Sequence, residues 1–153
     1  YARWRAELTG LPVNELRQVP HPPPQREVSF LGWLMADNVM GYAKASRFYK
    51  VRAVCQVGMG PATRTASDRL RQKLKLGPEV QVFTLQGGFD IRRLHGPYKW
   101  IMQVKCREIR RNLESKESLT PAQQLTYDMA AKGASAVKQE NLTEIVNWYK
   151  TTL

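Results

Sequence analysis

Short apolar segments and amphipathic segments alternate along the chain after residue 28. The apolar segments predict buried or half-buried strands over residues 28–31, 53–57 and 80–85. Between and after them, apolar residues recur at helical spacing. The order strand, helix, strand, helix, strand, helices predicts parallel strands joined by right-handed crossovers. We therefore expect an α/β fold with a doubly wound parallel sheet in three αβα layers.

Each helical segment carries its apolar residues on one face. The predicted helices cover residues 41–49, 66–74, 92–111, a segment beginning at residue 120, and 142–149. Gly77-Pro78 predicts the end of the second of them, because glycine favours the left-handed conformation that follows a helix. Thr120, Pro121 and Gln123 predict a helix start with a capping box.

The first 27 residues are less regular. Residues 1–9 are typical of the latter part of an amphipathic helix that Gly10 ends, and residues 11–16 predict a short strand that Pro12 confines to a sheet edge. Residues 18–27 are rich in proline and predict an extended linker. At 153 residues the chain is long enough to bury one core, so we expect a single domain over residues 1–153 with the linker inside it.

Glycine follows each of the three predicted strands, at Gly32, at Gly58 and at Gly87-Gly88. Loops at the carboxyl ends of parallel strands form the crevice in which an open α/β sheet binds its ligand. An aromatic residue follows two of these glycines, Trp33 and Phe89, and either ring is able to stack on a flat ligand. Ordinary turn chemistry explains any one of the glycines equally well.

The chain is strongly basic, with 24 Lys and Arg against 13 Asp and Glu, a net charge of +11. A surface of this charge attracts polyanions such as nucleic acid or an anionic membrane. The basic residues of the second predicted helix are candidates for this role: Arg64, Arg69, Arg71, Lys73 and Lys75. A solvated helix face without a partner is the plainer interpretation.

No residue pattern assigns a catalytic group or a metal ligand. His21 lies in the proline-rich segment and His95 in a basic turn, and neither belongs to a nucleophile, zinc or acid–base pattern. The two cysteines, Cys55 and Cys106, are predicted to be reduced, buried thiols of a cytoplasmic protein. If the chain is an enzyme, a bound cofactor performs the chemistry.

Three stretches carry a resemblance to a known family: residues 30–37 (FLGWLMAD), residues 54–58, and residues 83–90 (FTLQGGFD) followed by 99–102 (KWIM). Together with Leu119-Thr120 and 140–142 (ENL) they resemble the flavodoxin-like domain family. The branch they resemble most includes menaquinone-dependent protoporphyrinogen oxidase. The resemblance covers residues 1 to about 150.

The resemblance implies an FMN-binding oxidoreductase or electron-transfer domain, linked to a redox partner or a quinone. The residues implied on one side of the flavin ring are Gly32, Trp33, Leu34, Met35, Ala36, Asp37 and Asn38. Those implied on its other side and polar edge are Gln86, Gly87, Gly88, Phe89 and Asp90. The segment 92–111 mixes apolar and basic residues, which fits a surface helix that docks on anionic lipid, as expected of a quinone-linked cytoplasmic protein peripheral to the inner membrane face. A helix packed on its own domain is the rival interpretation of that segment, and a homo-oligomer is a further expectation.

Flavodoxin-like domains begin with a central strand and a loop that holds the FMN phosphate at a helix N-terminus. Residues 1–4 match the helix after that loop, so the resemblance implies that the first central strand is missing from this sequence. Three explanations remain open: the segment lies outside the sequence, another chain supplies the strand, or the domain has lost the flavin. The third leads to the alternative function, a basic flavin-free scaffold that binds RNA or serves in a ribosomal assembly.

Overall fold

The computed structural model describes residues 2–9, 12–13, 26–35 and 38–152. The chain forms two compact units. We call the first, residues 1–58, 62–85 and 138–153, the sheet unit, and the second, residues 59–61 and 86–137, the helical unit. The prediction of one domain over residues 1–153 stays a prediction. The predicted linker over 18–27 and strand over 11–16 lie mostly outside the described residues.

The helices and the three longer strands follow the predicted order, and three strands of two residues each are additional. The helices are α1 (Ala2–Thr9), α2 (Tyr42–Phe48), α3 (Arg64–Lys73), α4 (Gly96–Glu114), α5 (Pro121–Ala131) and α6 (Thr143–Thr152). The strands are β1 (Glu27–Met35), β2 (Asn38–Val39), β3 (Lys50–Gly58), β4 (Gln81–Gln86), β5 (Gly88–Phe89) and β6 (Ala134–Ser135). Among the described helices, none combines the length and the apolar character needed to cross a bilayer.

The sheet unit contains a mostly parallel sheet in the order β2-β1-β3-β4, which confirms the predicted α/β class. β1 and β3 pair in parallel from Glu27 opposite Lys50 to Trp33 opposite Val57. The expected gap, in which a missing central strand leaves unpaired backbone groups, is therefore not present between β1 and β3. Direct pairing satisfies the N–H and C=O groups that such a gap would orphan.

Side chains alternate between the two faces of this sheet, and helices cover both. Phe30, Val54 and Val82 pack on one face, where they meet Leu70 of α3 and Tyr42 of α2. The opposite face has its own apolar cluster. That cluster joins Leu31, Cys55, Val57, Phe83 and Leu85 to Leu142, Ile145 and Val146. The sheet is thus the middle of three layers, and α1 packs on α6 in the outer layer.

A bulge in β3 determines which of its side chains face each side of the sheet. Val28 lies opposite Val51, but the next residue of β1, Ser29, lies opposite Ala53, so Arg52 is an extra residue in β3. A bulge of one residue shifts the period of two by one position. As a result Val51 and Val54 both reach the cluster under α3, although they are three positions apart.

The helical unit is an α-helical hairpin with a small antiparallel sheet. α4 packs on α5, and β5 pairs with β6 through Gly88 opposite Ser135 and Phe89 opposite Ala134. The buried core of this unit contains Phe89, Cys106, Met129, Ala130 and Ala136. α5 begins as predicted, since the Thr120 side chain accepts from Gln123 N and the Gln123 side chain accepts from Thr120 N.

Two predicted boundaries are wrong in detail. α3 ends at Lys73 and not at Gly77-Pro78, because Lys75 adopts the left-handed conformation (φ 51°) that ends the helix. Gly32 does not end β1, which continues to Met35 and turns into β2. Both cysteines are buried and neither is in a disulfide, as predicted.

Candidate functional site

The first group of predicted site residues lies in the sheet unit, at the carboxyl ends of β1 and β3. Because the two strands are parallel, Gly32 opposite Gln56 and Trp33 opposite Val57 lie at the same sheet edge. Trp33 leaves 41% of its surface exposed. The structure therefore presents an aromatic side chain at the edge where an α/β sheet binds its ligand.

Gly32 is required by the packing of its own neighbours. A Cβ at this position would lie 2.5 Å from Val39 Cγ1, 2.7 Å from Phe30 Cε1 and 3.0 Å from the Met40 carbonyl oxygen. The hairpin from β1 into β2 passes directly over it, and Met40 N donates to the Trp33 carbonyl at 2.9 Å. Because Gly32 has no side chain, β2 can pack closely against β1. This packing holds in place the strand that carries Trp33.

The other residues of this group divide by exposure. Leu34 packs into the cluster under α3 and Met35 is half-buried, whereas Asn38 is exposed. Ala36 and Asp37 lie outside the described residues. Trp33 and Asn38 are therefore the described side chains of this group that a ligand can reach most easily.

The second group of predicted site residues, 86–90, belongs to the helical unit, and its side chains are occupied by internal contacts. The buried Gln86 amide donates from Nε2 to Met59 O, Ala122 O and Thr126 Oγ1, each at 3.1 Å. Phe89 is only 7% exposed and packs against the core of the unit. Phe89 is therefore a core residue of the helical unit.

Asp90 is engaged by the residues that follow it. Its carboxylate accepts from Arg92 N at 3.0 Å and from Arg92 Nε and Nη2 at 2.9 Å each, and it begins the short 3₁₀ turn Ile91–Arg93. These hydrogen bonds, and the positive charge of Arg92, lower the pKa of Asp90 to about 2. Gly133 (φ 84°) gives the carboxylate room, since a Cβ there would lie 2.8 Å from Asp90 Cγ.

In the second group, Gly87 and Gly88 have no side chains, so the backbone is the part of this segment that a ligand could contact. The Gly87 carbonyl accepts from Ala136 N at 3.0 Å, while Gly88 is exposed. A Cβ on Gly88 would lie 2.8 Å from Ser135 Oγ, so the pairing of β5 with β6 requires glycine there. A ligand that meets this segment would meet the backbone of Gly88.

A buried polar cluster at the carboxyl half of β3 and β4 escaped the sequence prediction. Gln56, 2% exposed, donates from Nε2 to Thr84 Oγ1 at 2.9 Å, and Thr84 Oγ1 lies 2.8 Å from Ser67 Oγ of α3. A glutamine inside the apolar run 53–57 is the one signal that could have found it. The cluster fixes α3 on the sheet through hydrogen bonds that join the buried Gln56 to the half-buried Thr84 and Ser67.

The basic residues of α3 do not form one continuous face. Arg69 lies about 140° around the helix from Arg64, at 100° per residue. Arg71 is half-buried, and its guanidinium donates to the Gly77 carbonyl at 2.6 Å and the Val80 carbonyl at 2.7 Å. Arg71 therefore holds the turn after α3. Lys75 lies beyond the helix, and Arg64, Arg69, Lys73 and Lys75 are exposed.

Comparisons of the chain with models of protein families, with curated proteins and with solved structures found no match. The fold class is therefore assigned from the geometry of the chain alone. The sheet unit is a three-layered α/β fold around a mostly parallel sheet of four strands, with an exposed tryptophan at its carboxyl edge.

Proposed function

We propose that this chain is an FMN-binding electron-transfer domain of the flavodoxin-like class. The observation that carries the proposal is Trp33, exposed at the carboxyl edge of the parallel pair β1 and β3 and held there by the close packing of Gly32. FMN, when bound, accepts and donates the electrons. The chain's own residues hold and orient the ring.

The roles follow from exposure. Trp33 provides a flat apolar face against which an aromatic ring stacks, and Asn38 provides an exposed amide beside the same edge. In the second group, which belongs to the helical unit, Gly88 leaves its backbone open to approach because it has no side chain. Gln86, Phe89 and Asp90 support that segment from within the helical unit.

One finding departs from the flavodoxin-like pattern. That class has the strand order 2-1-3-4-5, with one strand between the counterparts of β1 and β3. Here β1 and β3 are neighbours. The proposal therefore depends on the residues at the carboxyl edge and on the resemblance, and not on the strand order.

Titration of the purified chain with FMN tests the proposal. We expect saturable binding, measured as quenching of flavin fluorescence, with a flavin absorbance spectrum that changes on binding. A chain that takes up no FMN at any concentration tested would overturn the proposal.

Trp33→Ala tests the position of the ring. Loss of one stacking face should weaken binding by roughly 1–3 kcal/mol, which is about fivefold to 150-fold in Kd. Because the loss concerns the ring, FMN and riboflavin should be weakened by the same factor. Phe48→Ala is the matched control, since Phe48 is 48% exposed on α2 of the same unit, and it should leave both affinities unchanged.

A second function, binding of RNA by a flavin-free basic module, has narrower support. Arg64, Arg69, Lys73 and Lys75 are exposed in and just after α3, and the chain carries +11. Binding to a single-stranded RNA should then weaken steeply with added salt and with the double variant Arg69→Glu, Lys73→Glu. Binding that does not respond to salt would exclude this function.

A further inference from the structure

α4 carries a second apolar face that points away from the core of the helical unit. Its inner face, with Met102, Cys106 and Ile109, packs against the buried core. The large residues of its outer face are exposed. They are Trp100 (70%), Ile101 (53%) and Val104 (51%). Exposed apolar groups of this size on one helical face mark an interaction surface.

Basic side chains continue the outer face of α4 toward the end of the helix. Trp100, Val104, Arg107 and Arg111 are spaced by four, three and four residues, so they lie on one side of α4. The first turns are apolar and the last turns basic, and both arginines are exposed. Arg92 and Arg93 stand exposed just before the helix.

The acidic residues nearby do not cancel this charge. Residues 90–114 contain seven Lys and Arg against three Asp and Glu, a net charge of +4. Glu108, on the outer face, is paired with Lys105 at 2.9 Å, and Asp90 is paired with Arg92 at 2.9 Å. The outer face of α4 is therefore apolar and positive together.

We propose that the outer face of α4 binds an anionic lipid surface. Trp100, Ile101 and Val104 enter the boundary between headgroups and acyl chains, the region that tryptophan and tyrosine prefer. Arg107 and Arg111 reach the lipid phosphates, and their apolar stems lie along the same boundary. The helix thereby lies in the plane of the membrane surface.

The positive charge of the chain favours an anionic lipid surface, rather than a second copy of the chain, as the partner of the outer face of α4. A second copy of the chain would bring together two molecules that each carry +11, and their mutual repulsion opposes that contact. An anionic membrane satisfies both features of the face, because it accepts apolar side chains and attracts cations. The proposal stands independently of flavin binding, which involves other residues.

Cosedimentation of the full chain with vesicles tests the proposal. We expect binding to vesicles of phosphatidylcholine mixed with phosphatidylglycerol, weaker binding as salt rises, and little binding to phosphatidylcholine alone. Quenching of tryptophan fluorescence by lipids brominated near the headgroup should accompany it. No binding to the anionic vesicles would overturn the proposal.

Paired variants locate the contact. The double variant Trp100→Ser, Ile101→Ser should lower the partition coefficient about tenfold or more, since it removes most of the inserted apolar area. Arg107→Glu with Arg111→Glu should lower it by at least about fivefold per cation. The matched controls are Phe48→Ser for exposed apolar area and Lys44→Glu with Arg47→Glu for charge, all at exposed positions of α2, and both should retain binding.

Two results would contradict the proposal even if the vesicles bind. One is an equal loss in the α2 charge control, which would mean that net charge alone drives adsorption. The other is a dimer in sedimentation equilibrium without lipid that Trp100→Ser dissociates, which would assign the face to a second copy of the chain. All positions changed are exposed, and unchanged melting curves would confirm that the variants fold.

Discussion

The two glycine–aromatic pairs, Gly32-Trp33 and Gly88-Phe89, look alike in sequence and differ in the structure. Both glycines are held by close packing, with an added Cβ 2.5 Å from Val39 at the first and 2.8 Å from Ser135 at the second. Yet Trp33 is 41% exposed and Phe89 only 7%. The residue after the glycine points to solvent in the sheet unit and into the core in the helical unit.

The partner strand explains the difference. Gly32 lies within β1 of a sheet whose faces are covered by helices, and Trp33 comes where that strand reaches the carboxyl edge. Gly88 begins a two-residue strand that pairs with β6, and this pairing directs Phe89 onto α4 and α5. A glycine–aromatic motif therefore does not by itself predict a ligand contact.

Phe89→Ala should give the largest effect in this comparison. Removing a buried ring from the core around Met129 leaves a cavity, and we expect the helical unit to lose about 3–5 kcal/mol of stability. Amide hydrogen exchange of α5 measures that loss. Trp33→Ala, at an exposed site, should cost about 1 kcal/mol or less in the sheet unit. Equal losses of stability for Phe89→Ala and Trp33→Ala would show that the difference in burial between the two rings does not affect stability.

Gly32→Ala should follow, with a loss of roughly 1–3 kcal/mol in the sheet unit. The new methyl group meets Val39 and Phe30 inside normal contact distance, so the β1–β2 hairpin must shift. Urea unfolding measures the loss. Gly60→Ala is the control, since an added Cβ there finds nothing within 4 Å, and it should change stability by less than about 0.5 kcal/mol. A neutral Gly32→Ala would indicate that β2 is loosely held.

Gln86→Met should have a moderate effect, about 1 kcal/mol. The change keeps the length of the side chain but removes the amide donor to Met59 O and Ala122 O. The loss stays small because the Thr126 hydroxyl, with its one hydrogen, can still donate to one of these carbonyls, at 3.1 Å or 2.9 Å. Gln81→Met, at the exposed start of the same strand, is the control. A loss well above that of Gly32→Ala would show that the hydrogen bonds of Gln86 are more important than packing here.

The smallest predicted effect concerns pH. Because the pKa of Asp90 is lowered from 3.8 to about 2, its stabilising contribution is present above pH 3.8 and is lost as the pH falls through about 2. Melting of Asp90→Asn should therefore depend less on pH in this window than melting of the unchanged protein. Asp68→Asn controls for the loss of an exposed negative charge.

The carboxyl ¹³C shift of Asp90 checks the same prediction directly. It should titrate near 2 in the unchanged protein and closer to 3.8 in Arg92→Met, which removes the guanidinium donors. Titration near 3.8 in both proteins would mean that the Arg92 contact is absent in solution.

The sequence allowed the main strands, the helices and the capping box of α5 to be predicted, because each depends on local periodicity or on residues three apart. It did not reveal β2, β5 and β6. Each of these strands has two residues, too few to show a period, and each exists only through its partner. The bulge at Arg52 was missed for the same reason, since register is a property of two strands.

Only part of the candidate site could be predicted from the sequence. Trp33 lies exposed within β1, two residues before the strand ends, whereas the burial of Phe89 depends on α4 and α5, which come later in the chain. Gln86 acquires its partners from 27 to 40 residues away. Whether a polar side chain near a strand end faces a ligand or a buried carbonyl is decided by such distant segments.

The two cysteines give each unit an internal reporter of its own opening. Cys55 is 1% exposed in the sheet unit and Cys106 is 4% exposed in the helical unit, where burial raises its pKa. A thiol reagent can modify either sulfur only after the surrounding side chains separate, so alkylation followed by peptide mapping records two separate opening rates. One untagged sample thus shows whether the two units open together or one at a time.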